Sequence, residues 1–171
     1  MQHQKDILAV RDARVGDLSP LTALKSPEAV HRDRIRDAAE SAHFRYLVLT
    51  KGGAVIGFAC LVFVRPRHWS DAEDTAHLPQ IVDLLVAPGH RRQGCGSFFI
   101  RAAEALAKEN GAGSLYIAVE FPANTGAHAL YLRLGYRQLQ IEPYPKAWQF
   151  TDSDGIHHQG DELIVDMVKS L

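Results

Sequence analysis

The stretch from Val86 to Ser97, VAPGHRRQGCGS, constrains the fold more than any other part of this 171-residue sequence. An apolar strand, Ile81 to Val86, is broken by Pro88-Gly89. It passes through a basic, glycine-bearing turn and runs directly into a helical pattern. A strand, such a turn and a helix start in this order present free backbone N–H groups to an anion. Gly94 and Gly96 let the chain approach a ligand with no Cβ in the way, and Arg91 and Arg92 add positive charge. Two known phosphate motifs fail here. Gly89 to Gly94 has P-loop spacing, but Cys95 and Gly96 stand where lysine and a hydroxyl residue are needed. The dinucleotide fingerprint needs a third glycine where this chain has Phe99. A ligand-free glycine turn is the plain alternative; the coincidence of arginines, glycines and a helix start weighs against it.

The rest of the chain supplies the elements around this turn. Ile7 to Val10 reads as a first strand. Ser26-Pro27 reads as an N-cap with proline in the first turn of a helix through Ile35, Ala38, Ala39 and Ala42. Phe44–Thr50 and Ala54–Val64 flank Lys51-Gly52-Gly53 and make a hairpin. Arg65 to Pro79 is a long polar loop. Phe99, Ala102, Ala103 and Leu106 share one helical face, with Arg101, Glu104 and Lys108 opposite and Glu104 spaced to pair with Lys108. Gly111 and Gly113 end that helix and Leu115 to Val119 is a strand. Asn124 caps a short helix with Ala127, Leu130, Tyr131 and Leu134 inward and Gly135 at its end. Tyr136–Ile141 and Leu163–Val168 close the sheet, with a polar loop between them. The pattern is α/β (α+β) with mixed strand direction.

Length argues for a single domain over residues 1–171. With 46% hydrophobic and 23% charged residues the chain is neither disordered nor a coiled coil. A net charge of −1 gives no sign of a general nucleic-acid binder, though it leaves room for a small basic pocket. No apolar run approaches the ~20 residues of a membrane span, and Met1 to Asp6 shows no secretory leader, so a cytoplasmic protein is expected. Cys60 and Cys95 are too few for a disulfide framework or a zinc site. His157-His158 near Asp161 and Glu162 fits no metal spacing and reads as a solvated loop.

Arg91-Arg92-Gln93-Gly94-Cys95-Gly96 resembles the R/Q-x-x-G-x-G/A signature of the GNAT N-acetyltransferase superfamily. Its context does so too: an aspartate-bearing strand, Val82-Asp83-Leu84-Leu85-Val86, ends at a proline two residues on. Asn124 and Leu130-Tyr131-Leu132-Arg133-Leu134-Gly135-Tyr136 are similar to the family's N-x-x-A-x-x-x-Y-x-x-x-G-[FY], with small spacing shifts. The resemblance implies a central mixed, largely antiparallel sheet of about seven strands flanked by helices and splayed beside the fourth. It implies acetyl-CoA as cosubstrate, no metal, and transfer of the acetyl group to a primary amine by direct attack in a ternary complex. In the turn Arg91 to Ser97, backbone amides from Arg92 through Gln93, Gly94, Cys95 and Gly96 to Ser97 would hold the pyrophosphate. Leu84, Leu85 and Val86 would offer main-chain groups to the pantetheine arm, Asn124 would bond the cosubstrate, and Tyr131 would stand near the sulfur. The acceptor amine is open, and so is a homodimer, common in such families. The alternative is an acyl-CoA-binding sensor or scaffold domain without chemistry.

Acyl transfer needs a neutral amine, and an amine of pKa about 10.4 is almost wholly protonated at pH 7. Asp83, a carboxylate in an apolar strand, is the candidate base; the competing role is structural, pairing with a nearby arginine or a backbone amide. Family members commonly carry glutamate where this chain has Val82. His77, His128 or a water chain are fallbacks. Tyr131, a protonated phenol, is the candidate donor to the departing thiolate, against plain packing beside Leu130 and Leu134. Cys95 is a less favoured nucleophile and Cys60 a core residue. Trp69, Tyr144 and Trp148 either wall the acceptor site or cover the sheet, and Asp71, Glu73 and Asp74 either attract a cationic amine or are simply solvated.

Overall fold

The computed structural model describes residues 7–64, 75 and 77–171. The loop residues Trp69, Asp71, Glu73 and Asp74 lie outside these described residues. Eight strands form one open sheet: β1 (Leu8–Asp12), β2 (Phe44–Lys51), β3 (Ala54–Val62), β4 (Gln80–Val86), β5 (Ser114–Glu120), β6 (Arg137–Gln138), β7 (Tyr144–Thr151) and β8 (His157–Ser170). The order is β1-β2-β3-β4-β5-β8-β6, with β7 also on β8. All pairings are antiparallel except β4 with β5.

Helices cover both faces. Alternate strand residues point to opposite sides. On one side Tyr46, Val48, Phe58 and Cys60 pack with Leu21 of α1 (Leu18–Leu24) and with Ile35 and Ala38 of α2 (Glu28–Glu40). On the other, Leu47, Leu61, Ile117 and Val165 pack with Phe99, Ile100 and Ala103 of α3 (Cys95–Glu109) and Tyr131 of α4 (Thr125–Arg133).

Several expectations are corrected. The segment expected as a polar loop before Leu163 holds β7 and the first half of β8, including His157 and His158. Its side chains are largely exposed, so the apolar pattern of a strand is missing there. The strand expected over Tyr136–Ile141 shrinks to β6. Helix α1 lies where no element was expected, and α2 is capped at Pro27 rather than Ser26 and ends before Ala42. Its inner face is half polar, with His31 and Arg34 beside Ile35 and Ala38, while Ala39 is exposed. Glu104 does not face solvent with Lys108; its Oε2 pairs with Lys169 Nζ on β8 at 2.8 Å. Asn124 does cap α4, accepting from the Ala127 amide at 3.2 Å, and Gly135 ends it with φ of +91°.

Candidate active site

Strands β4 and β5 pair only at Gln80–Tyr116 and Ile81–Ile117. Beyond that point they part, and among the described residues no strand pairs with Val82 to Val86 on the β5 side. The expected splay is therefore present, and β4's main chain lines its edge.

The edge is shaped by a bulge. Cys60 opposes Val82 and Phe58 opposes Leu85, so Asp83 and Leu84 together face Ala59. Asp83 has φ of +52°, in the left-handed region that aspartate tolerates better than most residues. The extra residue reverses the alternation: Leu84 and Val86 pack toward the α3–α4 core, Leu85 toward the α1–α2 core.

Asp83 itself points to the α1–α2 side. Lys25 Nζ reaches its Oδ1 at 2.8 Å, and Arg34 Nη1 lies 2.8 Å from Oδ2, close enough for an ion pair although not aligned as a hydrogen bond. Burial alone would raise this carboxyl; Arg34 and Lys25 outweigh it and hold it below the usual carboxylate range. Beneath the pair, His31 is buried, with Nδ1 2.6 Å from the Tyr46 hydroxyl and Nε2 against the Lys25 carbonyl. A carbonyl only accepts, so Nε2 carries the proton and Nδ1 accepts from Tyr46. Burial pushes the His31 pKa down, in keeping with a neutral ring.

The expected anion turn follows β4. Pro88–His90 makes a single 3₁₀ turn, Arg91 Nε donates to the Val86 carbonyl at 2.9 Å, and Gln93 Nε2 donates to the Gly89 carbonyl at 2.9 Å. Both side chains thus brace the turn. Arg92 and Gly94 adopt positive φ, +58° and +81°. The first bond of α3 runs from the Phe98 N–H to the Gly94 carbonyl at 2.9 Å. The amides ahead of Phe98, down to Cys95, therefore have no carbonyl within the helix to bind. Cys95 is buried in the α3–α4 core, and Gly96 lies under α4, where a Cβ would come 3.2 Å from Leu130 Cδ2. Ser97 follows in the first turn of the helix.

Tyr131 projects from α4 into the core on this same side, its ring edge-to-face with Tyr136 at 5.5 Å between centroids. Burial pushes its phenol pKa well up, so it stays protonated at neutral pH. His128 bonds the side chain of Gln138 through Nε2 at 2.8 Å.

The structure adds residues that the sequence did not single out. Lys25 and Arg34 pair with Asp83, Arg34 lies over the Tyr46 ring, and Tyr46 bonds His31. On β8, Asp166 is buried and accepts from the hydroxyls of Tyr116 and Tyr144. It carried the same signal as Asp83: Ile164-Val165-Asp166-Met167-Val168 repeats the lone carboxylate of Ile81-Val82-Asp83-Leu84-Leu85.

Comparison with known proteins agrees with this geometry. The model of the acetyltransferase (GNAT) family matches residues 12–136. An uncharacterized N-acetyltransferase of Chlorobaculum tepidum is 26% identical over 166 residues, covering 95% of this chain and 96% of its own. Streptothricin acetyltransferase of Streptomyces lavendulae is 38% identical over 77 residues, 45% of this chain and 39% of its own. A putative acetyltransferase of Salmonella typhimurium, solved with acetyl-CoA, superposes with a TM-score of 0.69 at 16% identity, over 97% of this chain and 95% of that one. By its splayed β4, its amide turn and the family match across most of its length, the chain belongs to the GNAT acetyltransferase family.

Proposed function

We propose that the chain transfers the acetyl group of acetyl-CoA to a primary amine by direct attack in a ternary complex. One observation carries this: β4 parts from β5 at the end where the free amides of the α3 turn begin. The residues fit the cosubstrate. The amides from Arg92 to Ser97 suit a pyrophosphate, and the space where a Cβ would stand on Gly94 is open. Leu84, Leu85 and Val86 lie where β4 no longer pairs with β5, so this edge can take an extended arm, with the Val86 carbonyl already held by Arg91 Nε. Bound there, acetyl-CoA supplies an acetyl group activated as a thioester. Tyr131 is the proton donor for the leaving sulfur, since burial keeps its phenol protonated. Asp83, tied to Lys25 and Arg34, holds the β4 bulge rather than taking a proton.

The commitment of Asp83 to two cations supports a second function, acyl-CoA binding without chemistry. A thermal shift with acetyl-CoA and an amine screen separate these. Saturation at about 100 times Kd adds about 2.7 kcal/mol, a rise of roughly 5–11 °C for a domain of this size. Replacing Gly96 by phenylalanine should abolish the rise. Tyr131→Phe should keep it while lowering turnover about a hundredfold. No rise with the unaltered protein would refute both functions; a rise without acetylation of any amine would leave only the binding domain.

A further inference from the structure

We propose that Tyr144 and Asp166 form the proton acceptor for the incoming amine, with Tyr144 touching the amine and Asp166 acting through it as a positioning residue. The proposal rests on the acetyl-transfer function above and names the base that Asp83 cannot supply. Asp166 is 3% exposed and lies opposite Ala118, one residue beyond the last β5 residue that pairs with β4. It therefore lies level with the start of the splay, one strand away across β5. Register places Asp166, Tyr116 and Tyr144 on the face of the sheet that α1 and α2 cover, opposite Tyr131. The proton donor Tyr131 and the proton acceptor Tyr144 thus stand on opposite faces of the sheet.

The hydrogen bonds set a direction. Tyr116 Oη donates to Asp166 Oδ1 at 2.5 Å; Tyr144 Oη donates to Oδ2 at 2.8 Å and lies 3.0 Å from Oδ1. Among the described residues no lysine, arginine or histidine pairs with this carboxylate. A phenol that gives its proton to Asp166 meets any further partner as an acceptor. Tyr144, only partly buried, can accept an N–H from a protonated aliphatic amine. One proton then passes from nitrogen to the Tyr144 oxygen while the phenolic proton passes to Asp166. The amine keeps its lone pair, the phenol is regenerated and the carboxylate becomes a carboxylic acid.

Other polar groups on this face are Gln80 of β4, Glu120 of β5, Arg137 of β6, Lys146 of β7 and Glu162 and His158 of β8, with Asp83, Lys25, His31 and Arg34 on the same face toward α1 and α2. The Leu139 amide bonds the Asp166 carbonyl from the β6 side. A cleft of about 390 Å³ beside the end of β5 and the middle of β8 is rimmed by Glu120, Asp161 and Glu162 and adds a field that favours a cation.

The test uses the full chain with acetyl-CoA and spermidine, ethanolamine, lysine amide, an aminoglycoside and an alanine-led tripeptide. The best acceptor is then assayed against Asp166→Asn and Tyr144→Phe from pH 6 to 10. The relay predicts a loss of about a hundredfold in kcat/KM at pH 7. It also predicts an unchanged thermal shift with acetyl-CoA, and a deficit that shrinks toward pH 10 as solvent deprotonates the amine. If Asp166→Asn does not fold, Tyr144→Phe, which removes one hydroxyl, decides alone. Variants within threefold of wild type at pH 7, or a deficit constant with pH, overturn the relay while leaving the transferase function standing. A wild-type protein that binds acetyl-CoA but acetylates none of the amines overturns the transferase function and the relay with it.

Discussion

Asp83 is the place where stability and architecture can be tested together. Its side chain is 22% exposed and that of Arg34 20%, whereas Lys25 is half exposed. Removing one member of a buried ion pair costs about 3–5 kcal/mol; the solvent reaching this pair reduces that to about 2–3 kcal/mol. Asp83→Ala also places an alanine at φ +52°, for about 1 kcal/mol more. Asp83→Asn keeps a residue suited to that backbone and loses only the charge. The expected losses are about 3–4 kcal/mol for alanine and about 2 kcal/mol for asparagine. At roughly 2–4 °C per kcal/mol, these are falls of about 6–16 °C and 4–8 °C in Tm. The pH dependence has a definite sign. The folded carboxyl is held below its unfolded value of about 3.9, so the pair's contribution is complete above pH 4. It is lost as pH falls through the folded value. Thermal unfolding of wild type and Asp83→Asn at pH 7, 4 and 3 should show a gap that narrows only below pH 4. An asparagine variant as stable as wild type at pH 7, or a gap that persists undiminished in acid, would refute the ion-pair assignment. Turnover of Asp83→Asn should stay within about tenfold of wild type, because the general-base contribution of a hundredfold or more lies elsewhere.

Two further outcomes follow from close packing and burial. At Gly57 a Cβ would stand 2.5 Å from the Leu85 carbonyl, so Gly57→Ala must push β3 from β4 beside the bulge. It should cost about 1–3 kcal/mol and weaken the acetyl-CoA thermal shift; an unchanged shift would separate the bulge from cosubstrate binding. His31 is neutral in the fold with a lowered pKa, so the unfolded chain binds its proton first as pH falls below about 6.5 and stability drops. Tm measured from pH 7.5 to 5 should fall more steeply for wild type than for His31→Gln, and equal slopes would count against a buried neutral ring.

Sequence determined the parts whose cause is local. The β2–β3 hairpin follows from two apolar runs around Lys51-Gly52-Gly53, and α4 from its Asn124 cap and Gly135 stop. The turn from Arg91 to Ser97 follows from glycines and a helix start within one short stretch. These signals act over a few residues, so they are legible without the rest of the chain. Tertiary structure decided what depends on partners far along it. The inner face of α2 was not legible because His31 and Arg34 are buried by partners on β2 and β4, and polar residues do not announce a buried face. Strand β7 was hidden because its side chains stay exposed and backbone pairing with β8 alone makes it a strand. Asp83 and Asp166 look alike in sequence, each a lone carboxylate in an apolar strand. One meets Lys25 and Arg34 from the α1–α2 region, the other meets the hydroxyls of Tyr116 and Tyr144 from neighbouring strands. A carboxylate's chemistry is set by the charges and donors that folding brings to it, and those contacts bridge 50 residues or more for Lys25–Asp83 and Tyr116–Asp166.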